Sequence, residues 1–380
     1  MHFRKTQAEI SLKVLKNNFE QIINVAGRSR FICPMIKANA YGHGAVQTAM
    51  VLQEVCKTPL GVSLIEEGIE LRLGGINSDI IVYGIGEFNL NSFQTLTKYN
   101  LTAVINNKFQ IDQILKHNFS SLNVHIEFNT GMNRLGFVLD DIEYLIDFFK
   151  KNKLIHLKGV FTHMHSSFLL DVEGSSAQQQ VHDFESIEAA FSQLNCIFHF
   201  FNSDGIILFS QKNKKTIYQQ KTWGFRPGIL LYGYHEESLT HHLNIQPVMK
   251  LRSTLQSLQL VKKGDSVSYG ATWIAQRNSI IGVVPIGYAD GIHRILSNHG
   301  FVSIASQTVP IVGRICMDFL MVDLTDFVGD HLVDQEVLFF GDRSIDQRCS
   351  VQFIAKLSDT ISYEVLTSVS SRVHRVYKND

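Results

Sequence analysis

The chain has 380 residues, 45% hydrophobic and 18% charged, which describes a globular protein with room for about two domains. Its 35 basic and 35 acidic residues cancel, so no charge excess points to nucleic acid, an anionic membrane surface or a disordered tail, and a small-molecule substrate is expected. Five cysteines (Cys33, Cys56, Cys196, Cys316 and Cys349) without C-x-x-C spacing argue against a disulfide framework or a cysteine zinc site and for a reducing compartment.

Met1–Ile10 lacks the apolar core of a signal peptide, and no apolar run approaches the roughly 18 residues of a transmembrane helix, so a cytoplasmic protein without membrane partners is expected. A helix is predicted from Ser11, which can cap it, along the stripe Leu15, Phe19, Ile22 and Ile23 to Gly27. Short apolar runs follow at Phe31–Ile36, Leu60–Leu64, Ile80–Tyr83, Leu101–Ile105, Leu122–Phe128, Leu157–Thr162, Cys196–Phe201 and Thr222–Phe225. Amphipathic segments such as Asp141–Lys151 and Gln178–Leu194 separate most of them. Eight such runs predict an α/β chain with a TIM-like (β/α)8 barrel over residues 8–240; a doubly wound open sheet satisfies the same count. Gly42-His43-Gly44-Ala45-Val46-Gln47 lacks the third glycine of a dinucleotide fingerprint, which excludes that reading.

From about Pro247 the texture changes. Strand-like runs at Val248–Leu255, Ser279–Pro285, Val302–Ala305, Pro310–Gly313, Met321–Leu324 and Glu336–Phe340 are separated by short turns, with one helix near Ser350–Leu357. Residues 241–380, joined by 1–7, are expected to form a mostly-β C-terminal domain, with His241-His242 as a solvated linker pair.

Polar and glycine-rich residues gather where the barrel runs end. The first run ends on Lys37, followed by Ala38-Asn39-Ala40-Tyr41-Gly42-His43-Gly44. α/β barrels place catalytic groups at the carboxyl ends of their strands, and burial lowers a lysine's pKa until its neutral amine can attack a carbonyl. The fifth run leads into Asn129–Gly136, the sixth ends in Thr162-His163-Met164-His165, the seventh in Phe201-Asn202-Ser203-Asp204-Gly205, and the eighth in Phe225-Arg226-Pro227-Gly228-Ile229. Ser203 with the backbone N–H groups of Gly228 and Ile229 would form an anion pocket, the place where barrels hold a phosphate. A phosphate pocket and a lysine amine suggest pyridoxal 5'-phosphate, with Arg226 in reach of its ring nitrogen and His163 against its face. His163 and His165 alternate along a strand and so face opposite ways, and no metal is expected. Cys316 reads as a buried structural thiol.

These segments together resemble the alanine racemases. The resemblance runs nearly end to end, through Lys37–Gly44, Asn129–Gly136, Arg226–Ile229, Ser268-Tyr269-Gly270-Ala271-Thr272, Pro285–Gly291, Gly313-Arg314-Ile315-Cys316-Met317-Asp318 and Ile361-Ser362-Tyr363-Glu364-Val365-Leu366-Thr367. It implies that Lys37 holds the cofactor as a Schiff base and that Tyr41, Ser203, Gly228, Ile229 and Tyr363 hold its phosphate, with Asn202 beside them. It implies further that Arg226, supported by His199, pairs with the ring nitrogen, and that His163 contacts the ring. Tyr269 would be the second base, supplied by the partner subunit of a head-to-tail homodimer with shared active sites. Arg134 would orient it and bind the substrate carboxylate with the backbone of Met317.

Racemisation removes a proton from one face of Cα and returns one to the other, so two opposed bases, Lys37 and Tyr269, suit it better than one. An arginine is always protonated and gives the ring nitrogen no proton, which would keep the cofactor a weak electron sink and suppress transamination. Two positions depart from the family pattern. Glu127 stands where the family often has a lysine, carbamylated in some members, and would supply its carboxylate directly. Asn129 stands where an aspartate is common. The resemblance implies interconversion of L- and D-alanine, supplying D-alanine for peptidoglycan. A broader-specificity or serine racemase, a non-catalytic pyridoxal-phosphate-binding protein and a barrel decarboxylase are the alternatives. Tyr269 in its own domain speaks against a carrier, and Arg226 in place of an acid speaks against a decarboxylase.

Overall fold

The structure is a computed structural model that describes residues 3–84, 86–117, 121–211, 221–235, 243–329 and 333–379. The chain folds as two compact units. One comprises Leu15–Ala40 and Ala45–Ile245, the other Met1–Val14, Tyr41–Gly44 and Gln246–Asp380. This division departs from the expected 8–240 and 241–380 with 1–7 at both the N-terminal strand and the segment after Lys37. His241-His242 and the expected junction at 240 lie outside the described residues.

After β1 (Gln7–Ser11) and α1 (Leu12–Ala26) the chain alternates through α2 (Ala45–Val55), β2 (Leu60–Val62), α3 (Ile65–Leu73), β3 (Ile80–Val82), α4 (Leu90–Lys98), β4 (Leu101–Ile105) and α5 (Lys108–His117). It continues with β5 (Leu122–Phe128), α6 (Ile142–Lys151), β6 (Ile155–Thr162), α7 (Ser176–Phe191), β7 (Ile197–Phe201), α8 (Ser203–Ser210) and β8 (Gly224–Phe225). Strands β2 to β8 lie in sequence order in one parallel sheet. The first expected strand, Phe31–Ile36, forms no continuous ladder, because Pro34 at its centre has no N–H to give. It makes isolated parallel bridges instead, Ile32 to Phe225 on one edge of the sheet and Met35 to Gly61 on the other. Hydrogen bonds of 2.8 Å from Cys33 N to the Phe225 carbonyl and from Ile36 N to the Gly61 carbonyl make it the eighth stave, so the sheet closes into a barrel.

Side-chain parity along β5 shows how the barrel is filled. Leu122, Val124, Ile126 and Phe128 share one face, and the Phe128 ring lies 5.8 Å from Phe191 of α7, so this face turns outward to the helices. His125 and Glu127 share the opposite, inward face, and both are buried. Gly159 makes room for the former, since a Cβ there would lie 2.3 Å from His125 Nδ1. An apolar cluster of Cys33, Ile81, Val104 and Phe161 packs with Phe31, Met35 and Tyr83.

The second unit contains β9 (Met249–Thr254), β10 (Ser257–Val261), β11 (Ser266–Val267), β12 (Trp273–Ile274), β13 (Ser279–Val284), β14 (Phe301–Ile304), β15 (Gln307–Val312), β16 (Leu320–Asp323) and β17 (Glu336–Phe340). Two short helices, α9 (Val351–Leu357) and α10 (Ser362–Ser368), precede the last strand, β18 (His374–Lys378). Nine strands form one sheet in the order β10-β13-β16-β15-β14-β17-β9-β1-β18, and β11 pairs with β12. β1 lies in this sheet, parallel to β18 and antiparallel to β9, which is why the N-terminus belongs here. Arg4 reinforces the assignment with a two-pronged pair at 2.9 and 2.7 Å to the fully buried carboxylate of Asp290. Among the described residues no helix is long and apolar enough to cross a membrane.

Candidate active site

Lys37 is followed by a left-handed helical turn. Ala38, Asn39 and Ala40 have φ/ψ near 50°/50°, and Tyr41 follows at φ 52°. A non-glycine residue in this region costs about 1–2 kcal/mol, so four in a row need strong local support. The Glu67 carboxylate, in the first turn of α3, accepts from Ala38 N at 2.6 Å as well as from Ser63 N and Leu64 N at 2.7 and 3.0 Å. Ala40 N donates to the Ile36 carbonyl at 2.9 Å, and Asn39 Oδ1 accepts from Ala45 N, capping α2 at 2.8 Å. Lys37 thus sits between a barrel stave and a rigid turn. Burial and the nearby Arg134 charge push its ammonium below the usual lysine value, against the opposing pull of Glu67.

Arg226, 4% exposed, follows β8. Its guanidinium donates to the Thr162 carbonyl at 2.7 Å, to the Phe200 carbonyl at 3.2 Å and to His199 Nδ1 at 2.7 Å, and lies 5.0 Å from the Phe161 ring. Because Nδ1 accepts, His199 carries its proton on Nε2 and donates it to His125 Nδ1 at 2.9 Å. Burial and the Arg226 charge push both imidazoles down, His125 to about 3, so both stay neutral.

Ser203 begins α8, and its hydroxyl receives the Gly228 N–H at 2.9 Å and the Leu230 N–H at 3.3 Å, which brings together the serine and glycine expected to form the anion pocket. Ile229 opens the short helical turn Ile229–Tyr232. Asn202 caps α8, its Oδ1 accepting from Gly205 N at 2.9 Å and from Ser167 Oγ at 2.8 Å.

The loop bearing Arg134 folds back on β5, with Asn129 N and Phe137 N bonded to the Phe137 and Glu127 carbonyls at 2.8 and 2.9 Å. Asn129 Oδ1 accepts from Gly131 N and Asn133 N, and its amide donates to Asn133 Oδ1 at 3.0 Å. An aspartate could accept the same two N–H groups but could not donate to Asn133, so asparagine suits this loop. Burial raises the Glu127 carboxyl above its ordinary value, while Arg226, Arg134 and a hydrogen bond from Asn106 pull it down. Arg134 therefore acts electrostatically on Lys37, Glu127, His163 and Arg226 together.

Tyr41, Tyr269, Met317 and Tyr363 belong to the β unit. There the Tyr41 and Tyr363 rings lie 5.9 Å apart. Tyr269 is 71% exposed on a tight turn with Ser268 at φ 67° and Ala271 at φ 47°. Ser268 Oγ donates to the Arg314 carbonyl at 2.6 Å and lies 3.5 Å from Cys316 Sγ. Cys316, expected to be buried, is only half-buried, because the polar turn around it leaves one side open. Glu67 and His125 went unrecognised in the sequence. Glu67 had a signal, a glutamate at the third position of a helix after a strand; His125 stood on the polar side of an alternating strand, which reads as a solvent face.

The neutral state of His163 has a measurable consequence. Burial first, then the charges of Arg226, Arg134 and Lys37, push its imidazole from 6.5 down to about 3. In that window the unfolded chain binds a proton that the folded chain does not, so stability is full above 6.5 and declines as pH falls. In the cofactor-free protein, His163→Leu should reduce the slope of unfolding free energy between about pH 4 and 6 by about 1.4 kcal/mol per pH unit, read from urea midpoints. An unchanged slope would contradict a neutral imidazole at this position.

The family model described as "Alanine racemase, N-terminal domain" matches residues 10–236, and the one described as "Alanine racemase, C-terminal domain" matches residues 248–377. The chain is 36% identical to the alanine racemase of Thermodesulfovibrio yellowstonii over 98% of each chain, and 34% identical to that of Halothermothrix orenii over 99% of this chain and 97% of the relative. Among solved structures, the alanine racemase of Clostridium difficile 630 matches with a TM-score of 0.88 at 32% identity, covering 100% of this chain and 98% of that one. With both domain models matched in order and relatives above 30% identity spanning almost the whole sequence, the chain belongs to the alanine racemase family and is a racemase.

Proposed function

We propose that the chain interconverts L- and D-alanine with pyridoxal 5'-phosphate attached to Lys37, in the cytoplasm, supplying D-alanine for peptidoglycan. The observation that carries the reading is a lysine amine of depressed pKa at the end of the eighth barrel stave, within the electrostatic reach of Arg134 and His163. The donor set fits the cofactor: an amine for its aldehyde, the Ser203 hydroxyl with the Gly228 and Ile229 backbone for its phosphate, and a fixed guanidinium for its ring nitrogen. Bound there, pyridoxal phosphate would acidify the substrate's Cα–H by delocalising the electron pair left behind. Tyr41 and Tyr363 would complete the phosphate contacts, Asn202 steadies Ser203 by capping its helix, and His163 would contact the ring. Arg226 would donate to the ring nitrogen without surrendering a proton. Arg134 and the Met317 backbone take the substrate carboxylate, while Lys37 and Tyr269 move protons on opposite faces.

Circular dichroism should show L-alanine losing its optical activity with this protein and added cofactor, and L-serine and L-lysine losing theirs more slowly. In Tyr269→Phe, racemisation should fall by at least about 100-fold, with solvent deuterium still exchanging into the α-position of one enantiomer only. Exchange from both enantiomers at equal rates would remove Tyr269 from the mechanism.

The exposed setting of Tyr269 supports its delivery to a second copy in a head-to-tail dimer. Ser268, next to it, touches Cys316; Met317 is 52% exposed, and Tyr288, bonded through its N–H to the Cys316 carbonyl, is exposed as well. This run of aromatic and apolar groups around one turn is the composition of an interface. Mixing inactive Lys37→Ala with inactive Tyr269→Phe should restore part of the activity, because a hybrid dimer has one intact site. No recovery after proven subunit exchange would sink the shared-site reading.

Glu127, 6% exposed and within the fields of Arg226 and Arg134, takes the place of the lysine, carbamylated in some members, that the family often has here, and holds Arg134 electrostatically. Glu127→Gln should cost about tenfold in turnover. Glu127→Lys should be poorly active until bicarbonate is added. Full activity of the glutamine variant, with no bicarbonate response in the lysine variant, would leave Glu127 without this role.

A further inference from the structure

Tyr41–Gly44 folds into the β unit, although residues on either side of it belong to the barrel. What holds it there is concentrated on β18. Arg375 Nε donates to the Gly42 carbonyl at 3.0 Å, and its two terminal nitrogens donate to the carbonyls of Val369 (2.5 Å), Ser370 and Val373 (2.7 Å). One guanidinium thereby ties four carbonyls, and no carboxylate is among them. Val369 is the residue that closes α10, whose last carbonyls have no partner within the helix, and α10 carries Tyr363 in its first turn.

Gly42 has φ +83°, and a Cβ on it would lie 2.5 Å from the Leu366 carbonyl, so its backbone sits directly against α10. Gly44 has φ +99°, and a Cβ there would collide with the Tyr377 hydroxyl. Arg375 and Tyr377 are two residues apart and share one face of β18, so a single strand face receives both glycines. His43 Nδ1 lies 2.9 Å from the Tyr41 carbonyl, which stiffens the segment further. The outcome is that Tyr41 and Tyr363, from segments more than three hundred residues apart in sequence, stand with rings 5.9 Å apart.

We propose that Arg375 is a positioning residue: by binding the Gly42 carbonyl and the end of α10 together, it sets the spacing of the Tyr41 and Tyr363 hydroxyl groups for the dianionic phosphate of the cofactor. The inference rests on the reading of these two tyrosines as phosphate contacts. Arginine is required because a planar guanidinium reaches several carbonyls at once, whereas a lysine ammonium in the same place is a single point charge. The device acts on phosphate alone, so it affects ligands that carry phosphate and spares those that lack it.

Comparing the cofactor with pyridoxal, which has the same aldehyde and ring but no phosphate, tests this. The cofactor-free full chain is titrated with each, following the absorbance of the lysine adduct, and the ratio of the two dissociation constants is the readout. Arg375→Lys should weaken pyridoxal phosphate by at least about tenfold and leave pyridoxal within about threefold. Gly42→Ala, which pushes on the same seat from its other side, should act in the same direction, so either folded variant decides. Arg4→Lys should lower the melting temperature of the same unit with the ratio unchanged. Equal weakening of both ligands by Arg375→Lys would show a merely structural role and overturn the proposal. Tyr41→Phe and Tyr363→Phe separate the two levels. If they leave the ratio unchanged, the phosphate reading fails; if they collapse it while Arg375→Lys and Gly42→Ala do not, the assignment of Arg375 fails.

Discussion

A positive charge sealed inside the barrel is the constraint to which its neighbouring strands conform. Removing a guanidinium from water costs several kcal/mol unless its N–H groups are all received. Arg226 is received by the carbonyls of Thr162 and Phe200, by the His199 imidazole and by the face of Phe161. The imidazole can accept only while neutral, and its remaining proton must then go somewhere. It goes to His125 on β5, whose ring fits only because position 159 on β6 is glycine. One charge therefore dictates residues on β5, β6 and β7. Since most of these acceptors are uncharged, the arginine keeps its positive field for whatever faces it from the mouth of the barrel.

The left-handed turn after Lys37 is the second constraint, and it shows how strain is kept. Four non-glycine residues in that conformation persist only if their surroundings over-determine them. Glu67 holds the first N–H of the turn, and the Asn39 side chain is committed to capping α2. The following glycine is held by Arg375 and packs against α10. A lysine anchored before so stiff a turn loses much of its backbone freedom before any ligand arrives, which is the kind of preorganisation that covalent catalysis exploits.

The barrel was legible because buried parallel strands and amphipathic helices alternate with different periods, and the ends of those strands delivered Lys37, Arg134, His163, Ser203 and Arg226 to one set of loops. The stave Phe31–Ile36 was legible in place but not in form, since Pro34 interrupts its ladder. His125 and Glu127 were not legible as inward groups, because Leu122–Phe128 alternates apolar with polar residues, and such alternation reads as a strand whose polar face meets solvent. The left-handed turn gave almost no sign: Ala38 and Ala40 favour right-handed helix, and only Asn39 and Gly42 hint otherwise. That Tyr41–Gly44 belongs with the β unit depends on an arginine 333 positions later, a pairing that no local pattern encodes.

Tyr269 combines a rigid backbone with an exposed side chain. Its backbone is firmly placed, with the turn secured by the Ser268 hydroxyl on the Arg314 carbonyl and by a glycine at 270 with φ +73°. The phenol itself, however, stands mostly in water. A phenol serves as a base near neutral pH only where a fixed cation favours its phenolate, and water and salt weaken any such field. The missing ingredient is a dry, positively charged surface laid over an already rigid side chain. In the proposed dimer the partner subunit would supply it, covering the same turn on both copies and so completing two sites at once. On the reading proposed above, the rigidity of the turn and the exposure of its tyrosine would serve one purpose: the chain fixes the position of the phenol, and the partner would supply its environment.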